Sequence, residues 1–167
     1  MAEEDLSAVL VERHALLAWL EMQVAELPKS DTRALYLEKL ATALGGHLRS
    51  VEHGTNKALR KIFADGLPEQ VLEKYTSVAT RLAQVLAAGE AAFDFQERYL
   101  MLTSAVAGMC AMERRLVMPT LYRSLNEAAL VLIAFEVERQ FEEFVGARGS
   151  ADATEASAKA KGVRRSA

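Results

Sequence analysis

The chain has a single cysteine, Cys110, so it can form no disulfide within itself and offers no paired thiolates for a structural zinc site. A reducing compartment suits it. No apolar run approaches the ~18 residues that a bilayer span requires; the longest, Ala128 to Phe135, stops far short. The first residues, Met1 to Asp5, are acidic where a secretory signal begins basic. A cytoplasmic chain with no membrane span is therefore expected. Charge of one sign is also scarce: 20 Lys and Arg against 23 Asp and Glu leave a net charge of −3, which gives no phosphate-binding face and excludes nucleic acid as a default partner. The sequence carries no phosphate-cradling glycine loop, no Gly-x-Ser-x-Gly, no Cys-x-x-Cys and no His-Glu-x-x-His, so no enzymatic activity is expected. Alternating strand patterns are missing as well.

What the chain does have is helical periodicity. With 51% hydrophobic residues over 167 positions, it is long enough to bury one core. Leu6, Leu10, His14, Leu17, Leu20 and Val24 recur at steps of three and four, as one face of a helix over residues 5–26. Pro28 ends that helix, and Ser30 and Asp31 can cap a second over 32–63. Its seam is Leu37, Leu40, Leu44, His47, Val51, Ala58 and Ile62, with a break expected near Gly54. Gly66 and Pro68 precede a third helix carrying Val71, Tyr75, Val78, Leu82 and Val85, which stops at Gly89. A fourth, from about Ala92, carries Tyr99, Leu102, Val106, Met109, Glu113 and Leu116 and stops or bends at Pro119. Ser124-x-x-Glu127 reads as a capping box for a fifth helix over 128–145. The expected fold is all-α: an antiparallel up-down four-helix bundle with an additional C-terminal helix, as short loops favour. The bundle occupies residues 1–146. Residues 147–167 are poor in large apolar side chains and read as a disordered tail.

Three seams carry an ionisable residue among apolar neighbours: His14, His47 and Glu113. A carboxylate buried without a partner costs several kcal/mol. Glu113 therefore needs a histidine, an arginine such as Arg98 or Arg114, the Tyr75 hydroxyl, a shared proton or a metal ion. Imidazole and carboxylate groups projecting from facing helices are how bundle interiors build iron sites. Met109 with Met101, Met112 and Met118 reads as pliable core filling, and Cys110 as a small buried hydrophobe.

Glu12-Arg-His14 on one helix, followed by Leu40-Ala-Thr-Ala-Leu44-Gly-Gly-His47-Leu48-Arg-Ser-Val51-Glu52 on the next, resembles the first half of a hemerythrin-like (HHE cation-binding) domain. The segment Met109-Cys-Ala-Met-Glu113-Arg-Arg-Leu-Val-Met-Pro119-Thr-Leu121 resembles the second half, in which His-x-x-x-Glu is followed by Pro-x-Leu, and the likeness spans residues 6–123. It implies a metal site of non-haem iron or another divalent ion, with sensing or storage as its use. The ligand set departs from the family's pattern: Tyr75 stands in place of a histidine, Met109 in place of a second, and Val51 in place of a glutamate. The residues carried over are His14, His47 and Glu113, with Glu52 and His53 as nearby candidates that need a shift of register. So few ligands exclude a full di-iron centre and leave either one weakly held divalent ion or none. The alternative is a metal-free interaction or scaffold protein that forms a homodimer, or binds a protein partner, through residues 124–146.

Overall fold

The computed structural model describes residues 5–163, and side chains as far as Gly149. The described residues form helices and no strand: α1 (Leu6–Glu26), α2 (Asp31–His53), α3 (Thr55–Ile62), α4 (Glu69–Ala88), α5 (Phe95–Met112), a π-helical turn (Glu113–Val117), α6 (Met118–Ser124) and α7 (Glu127–Val163). None of these helices is long and apolar enough to cross a membrane.

Local chemistry sets the boundaries. The Asp5 carboxylate accepts from the Ser7 amide to open α1, and the Ser30 hydroxyl accepts from the Arg33 amide at 3.2 Å to open α2, so Ser30 is the cap and Asp31 lies in the first turn. Gly54 separates α2 from α3. A Cβ there would lie 2.5 Å from Val137 Cγ2 on α7 and 3.0 Å from the Ser50 carbonyl, so a side chain would push the two helices apart. Gly89 closes α4 at φ 71°, a conformation that glycine adopts without a Cβ clash. The last helix is capped by Asn126, whose side chain accepts from the Ala129 amide at 2.9 Å; Ser124 instead closes α6. The Ser-x-x-Glu capping box is thus corrected to an Asn cap two residues on.

The helix continues past Gly146 to Val163, through most of the segment that its composition marks as a disordered tail. Alanine, the residue of highest helix propensity, recurs through this stretch at Ala147, Ala151, Ala153, Ala156, Ala158 and Ala160, and carries the helix on with no large apolar residue before Val163. Residues 164–167 lie outside the described region.

The most extensive helix pairings are α2 with α7, α4 with α5 and α1 with α2. Paired residues show that two of them run in opposite directions. His14 and Trp19 of α1 face His47 and Tyr36 of α2, and Arg49 of α2 and the Gly54 that follows it face Gln140 and Val137 of α7. The core contains the apolar residues read from the periodicity, among them Leu6, Leu17, Leu40, Leu44, Val71, Val78, Leu102 and Val106, all nearly inaccessible.

Two polar residues of α1, Arg13 buried and Glu21 half-buried, had no sequence signal. Arg13 pairs with Glu138 on α7 at 2.7 Å and lays its guanidinium over Phe141, 3.1 Å from the ring centroid. Glu21 lies two turns along α1 from His14, with one carboxylate oxygen buried and unpartnered. Burial pushes its carboxyl up to about 7 from the ordinary 4.5. Since folding raises this pKa, the protonated form is the one favoured in the native state, and stability falls as pH rises from 4.5 through about 7. Glu21→Gln should therefore stabilise the protein by about 1–2 kcal/mol above pH 7, after allowance for the group's partial exposure, and change little below pH 4.5. Urea unfolding at the two pH extremes measures the difference.

Candidate metal centre

Four helical segments deliver one side chain each to a single point. His14 comes from α1, His47 from α2, Tyr75 from α4 and Glu113 from the junction after α5. Glu113 is the hub: its Oε2 accepts from His14 Nε2 at 2.5 Å, and its Oε1 accepts from His47 Nε2 at 2.9 Å and from the Tyr75 hydroxyl at 2.8 Å. His47 and Glu113 are fully buried, whereas the His14 side chain remains 10% exposed and is the edge of the cluster nearest water.

The backbone at Glu113 explains why an acid can sit there. Pro119 has no N–H to donate, so the regular hydrogen-bond ladder cannot pass through it. The turn ahead of it widens to π geometry over Glu113–Val117, and the Met118 amide bonds back to the Glu113 carbonyl. Pro119 then falls in the first turn of α6, where a missing donor costs nothing. The bend expected at Pro119 is thus a widened turn that begins on Glu113 itself.

Burial alone would raise the Glu113 carboxyl, but the charge of His47 and the hydrogen bonds from His14 and His47 outweigh it and hold the group at about 2. Tyr75 responds in the other sense: burial first, then the facing Glu113 charge, push its phenol well above the usual range, so it stays a hydrogen-bond donor. Cys110, one turn before Glu113, is pushed up to about 12 by burial and by the same carboxylate, which fits an inert thiol.

The site residues named from sequence separate into two groups. His14, His47 and Glu113 come together, with ligand atoms all within 4.8 Å of one another, and among the described residues they are the group that could hold a metal ion. Glu52 and His53 do not join them. Both are exposed on the far side of α2; Glu52 binds Arg60 at 2.6 Å, and His53 lines a surface groove with Lys57 and Arg139. Ser50 and Val51 fill the inner face of that turn in their place. Arg98 is engaged with Asp94 and Arg114 is exposed, so neither neutralises Glu113. Val51 and Met109, where the resemblance expects a carboxylate and an imidazole, are buried among apolar neighbours.

The donor set of two imidazoles and one carboxylate fits a single divalent cation with coordination positions left over, and it is too small for two bridged ions. The support around it is thin. Nδ1 of both His14 and His47 is buried with no hydrogen-bond partner, whereas a ligating histidine ordinarily donates that proton to a carboxylate or carbonyl. Loss of such a partner typically lowers metal affinity by about 10–100-fold. Compared with known proteins, the chain matches no family model, no curated protein and no solved structure.

Proposed function

We propose that the chain is a hemerythrin-like protein of the cytoplasm, an up-down four-helix bundle with an added C-terminal helix, that holds one divalent cation, iron before others, through His14, His47 and Glu113. The use that fits is sensing or storage. What carries the reading is the convergence of three ligand atoms from three separate helical segments on one enclosed point. Burial favours binding over turnover, since His47 and Glu113 have no surface to offer a substrate. If an ion is held, it supplies Lewis acidity and, for iron, a redox couple; His14, His47 and Glu113 hold it, and Tyr75 keeps Glu113 oriented through Oε1.

The competing reading is a metal-free scaffold in which the same cluster is purely structural. It is favoured by the pairing of Glu113 within the protein, whose two oxygens already accept three hydrogen bonds. Metal analysis of anaerobically purified protein decides between them. The metal reading predicts about one iron per chain in the wild type and a several-fold loss in His47→Ala and in Glu113→Gln, both checked for retained helicity. Equal and negligible metal in all three would leave the scaffold.

A further inference from the structure

Tyr75 is the one side chain at the candidate metal centre that a set of two imidazoles and one carboxylate leaves out. Its hydroxyl donates to Glu113 Oε1 at 2.8 Å, as close as His47 Nε2, which stands 2.9 Å from the same oxygen. Two donors at right angles about one ion, each about 2.1 Å from it, lie about 3.0 Å apart. The phenol oxygen is thus spaced from Glu113 as a neighbouring ligand is, and as His47 is. The other buried residues of α4 are Val71, Val78, Leu82 and Val85, so the helix brings a single side-chain oxygen to the interior and brings it to this point. Glu113 does not need it as a counter-charge, since each carboxylate oxygen already meets an imidazole.

We infer that Tyr75 is a fourth ligand, bound through its phenolate oxygen, and that it stabilises iron(III) relative to iron(II) in this centre; the inference rests on the reading of the cluster as a cation site. The donors are then two nitrogens and two oxygens, from His14, His47, Glu113 and Tyr75. A phenolate is a hard, anionic oxygen, and a trivalent ion gains more from it than a divalent one does. Beside Glu113 and the phenolate, iron(III) leaves a single positive charge in the enclosed site, the same that iron(II) leaves beside Glu113 alone, so burial does not single out the trivalent ion. On binding, the Tyr75 O–H bond breaks and an oxygen–iron bond forms. The proton leaves to water past His14, the exposed edge of the cluster, and no electron is transferred.

Loading the metal-free full chain with ferric citrate tests this, with iron content and visible absorption read on the same sample. The wild type should hold about one iron per chain and show a phenolate-to-iron(III) charge-transfer band, with tyrosine ring modes enhanced in its resonance Raman spectrum. Tyr75→Phe, which keeps the ring and its packing, should lose the band completely. Tyr122→Phe, at an exposed tyrosine outside the cluster, should keep it. The Raman modes report a tyrosine ligand in the wild type itself, whatever iron the Tyr75→Phe protein retains. Iron bound by the wild type without the band would overturn the inference and leave the three-ligand reading standing, and a band that persists in Tyr75→Phe would overturn it as well. A wild type that takes up no iron would overturn both.

Discussion

Glu113→Ala is expected to cost about 3–5 kcal/mol of folding stability, among the largest single losses in the molecule. The carboxylate is fully enclosed and accepts from His14, His47 and Tyr75, so its removal leaves three buried donors facing a cavity. Glu113→Gln keeps the volume and an acceptor oxygen but loses the charge, and should cost about half as much. The pH dependence separates charge from packing. Because the native carboxyl is held at about 2 against an ordinary 4.5, its contribution is complete above 4.5 and is lost as the pH falls toward and below about 2. In the wild type, stability measured by denaturant unfolding should therefore decline across that window. The Glu113→Gln protein should lack that component of the decline. Equal acid sensitivity in both would place the acid-labile charge elsewhere.

The second large effect concerns metal capacity and tests the resemblance itself. Val51, Tyr75 and Met109 occupy the positions at which the hemerythrin-like pattern has a glutamate and two histidines, and all three are buried, Tyr75 already in contact with Glu113. If the proposed cation site holds, the triple substitution Val51→Glu, Tyr75→His, Met109→His should raise the capacity to two divalent ions per chain. Added ligands would fill a second coordination sphere beside the first. Without metal the variant should be less stable, since it buries new ionisable groups, and iron should restore that stability by linkage. Metal analysis and thermal unfolding with and without iron(II) measure both. A folded variant that still takes up one ion, or none, would show that these positions do not share a level of the bundle.

Much of this architecture was legible because apolar spacing is a strong signal over long helices. The seams through Leu6 to Val24 and Leu37 to Val51 are the buried faces observed, and the break at Gly54 lies where the residue pattern places it. The inward direction of His14, His47 and Glu113 was legible for the same reason: each sits in register with leucines and valines three or four positions away. Their convergence was not. Whether three seams bring their polar residues to one level depends on helix lengths and on the widened turn at Glu113, and periodicity carries no information on axial offset. Pro119 was the visible trace of that turn.

Pairings that need the third dimension were hidden too. The burial of Arg13 depends on Glu138 and Phe141, more than a hundred residues away, and Glu21 gives no local hint of its enclosure. Glu52 and His53 were drawn in by proximity to His47 in sequence, but the helix turns them to solvent on the face opposite the seam. The last helix outran its expected end because propensity alone carries an alanine-rich segment on where no core demands it.

Titration of the metal-free protein with cobalt(II) tests most directly whether two imidazoles and one carboxylate form a single cation site. Cobalt's visible ligand-field bands report whether nitrogen and oxygen donors of the protein surround the ion. The prediction is bands that grow to a plateau at one equivalent in the wild type and are absent in folded Glu113→Gln and His47→Ala. A wild type with only the spectrum of aqueous cobalt, or bands that persist unchanged in both variants, would contradict it.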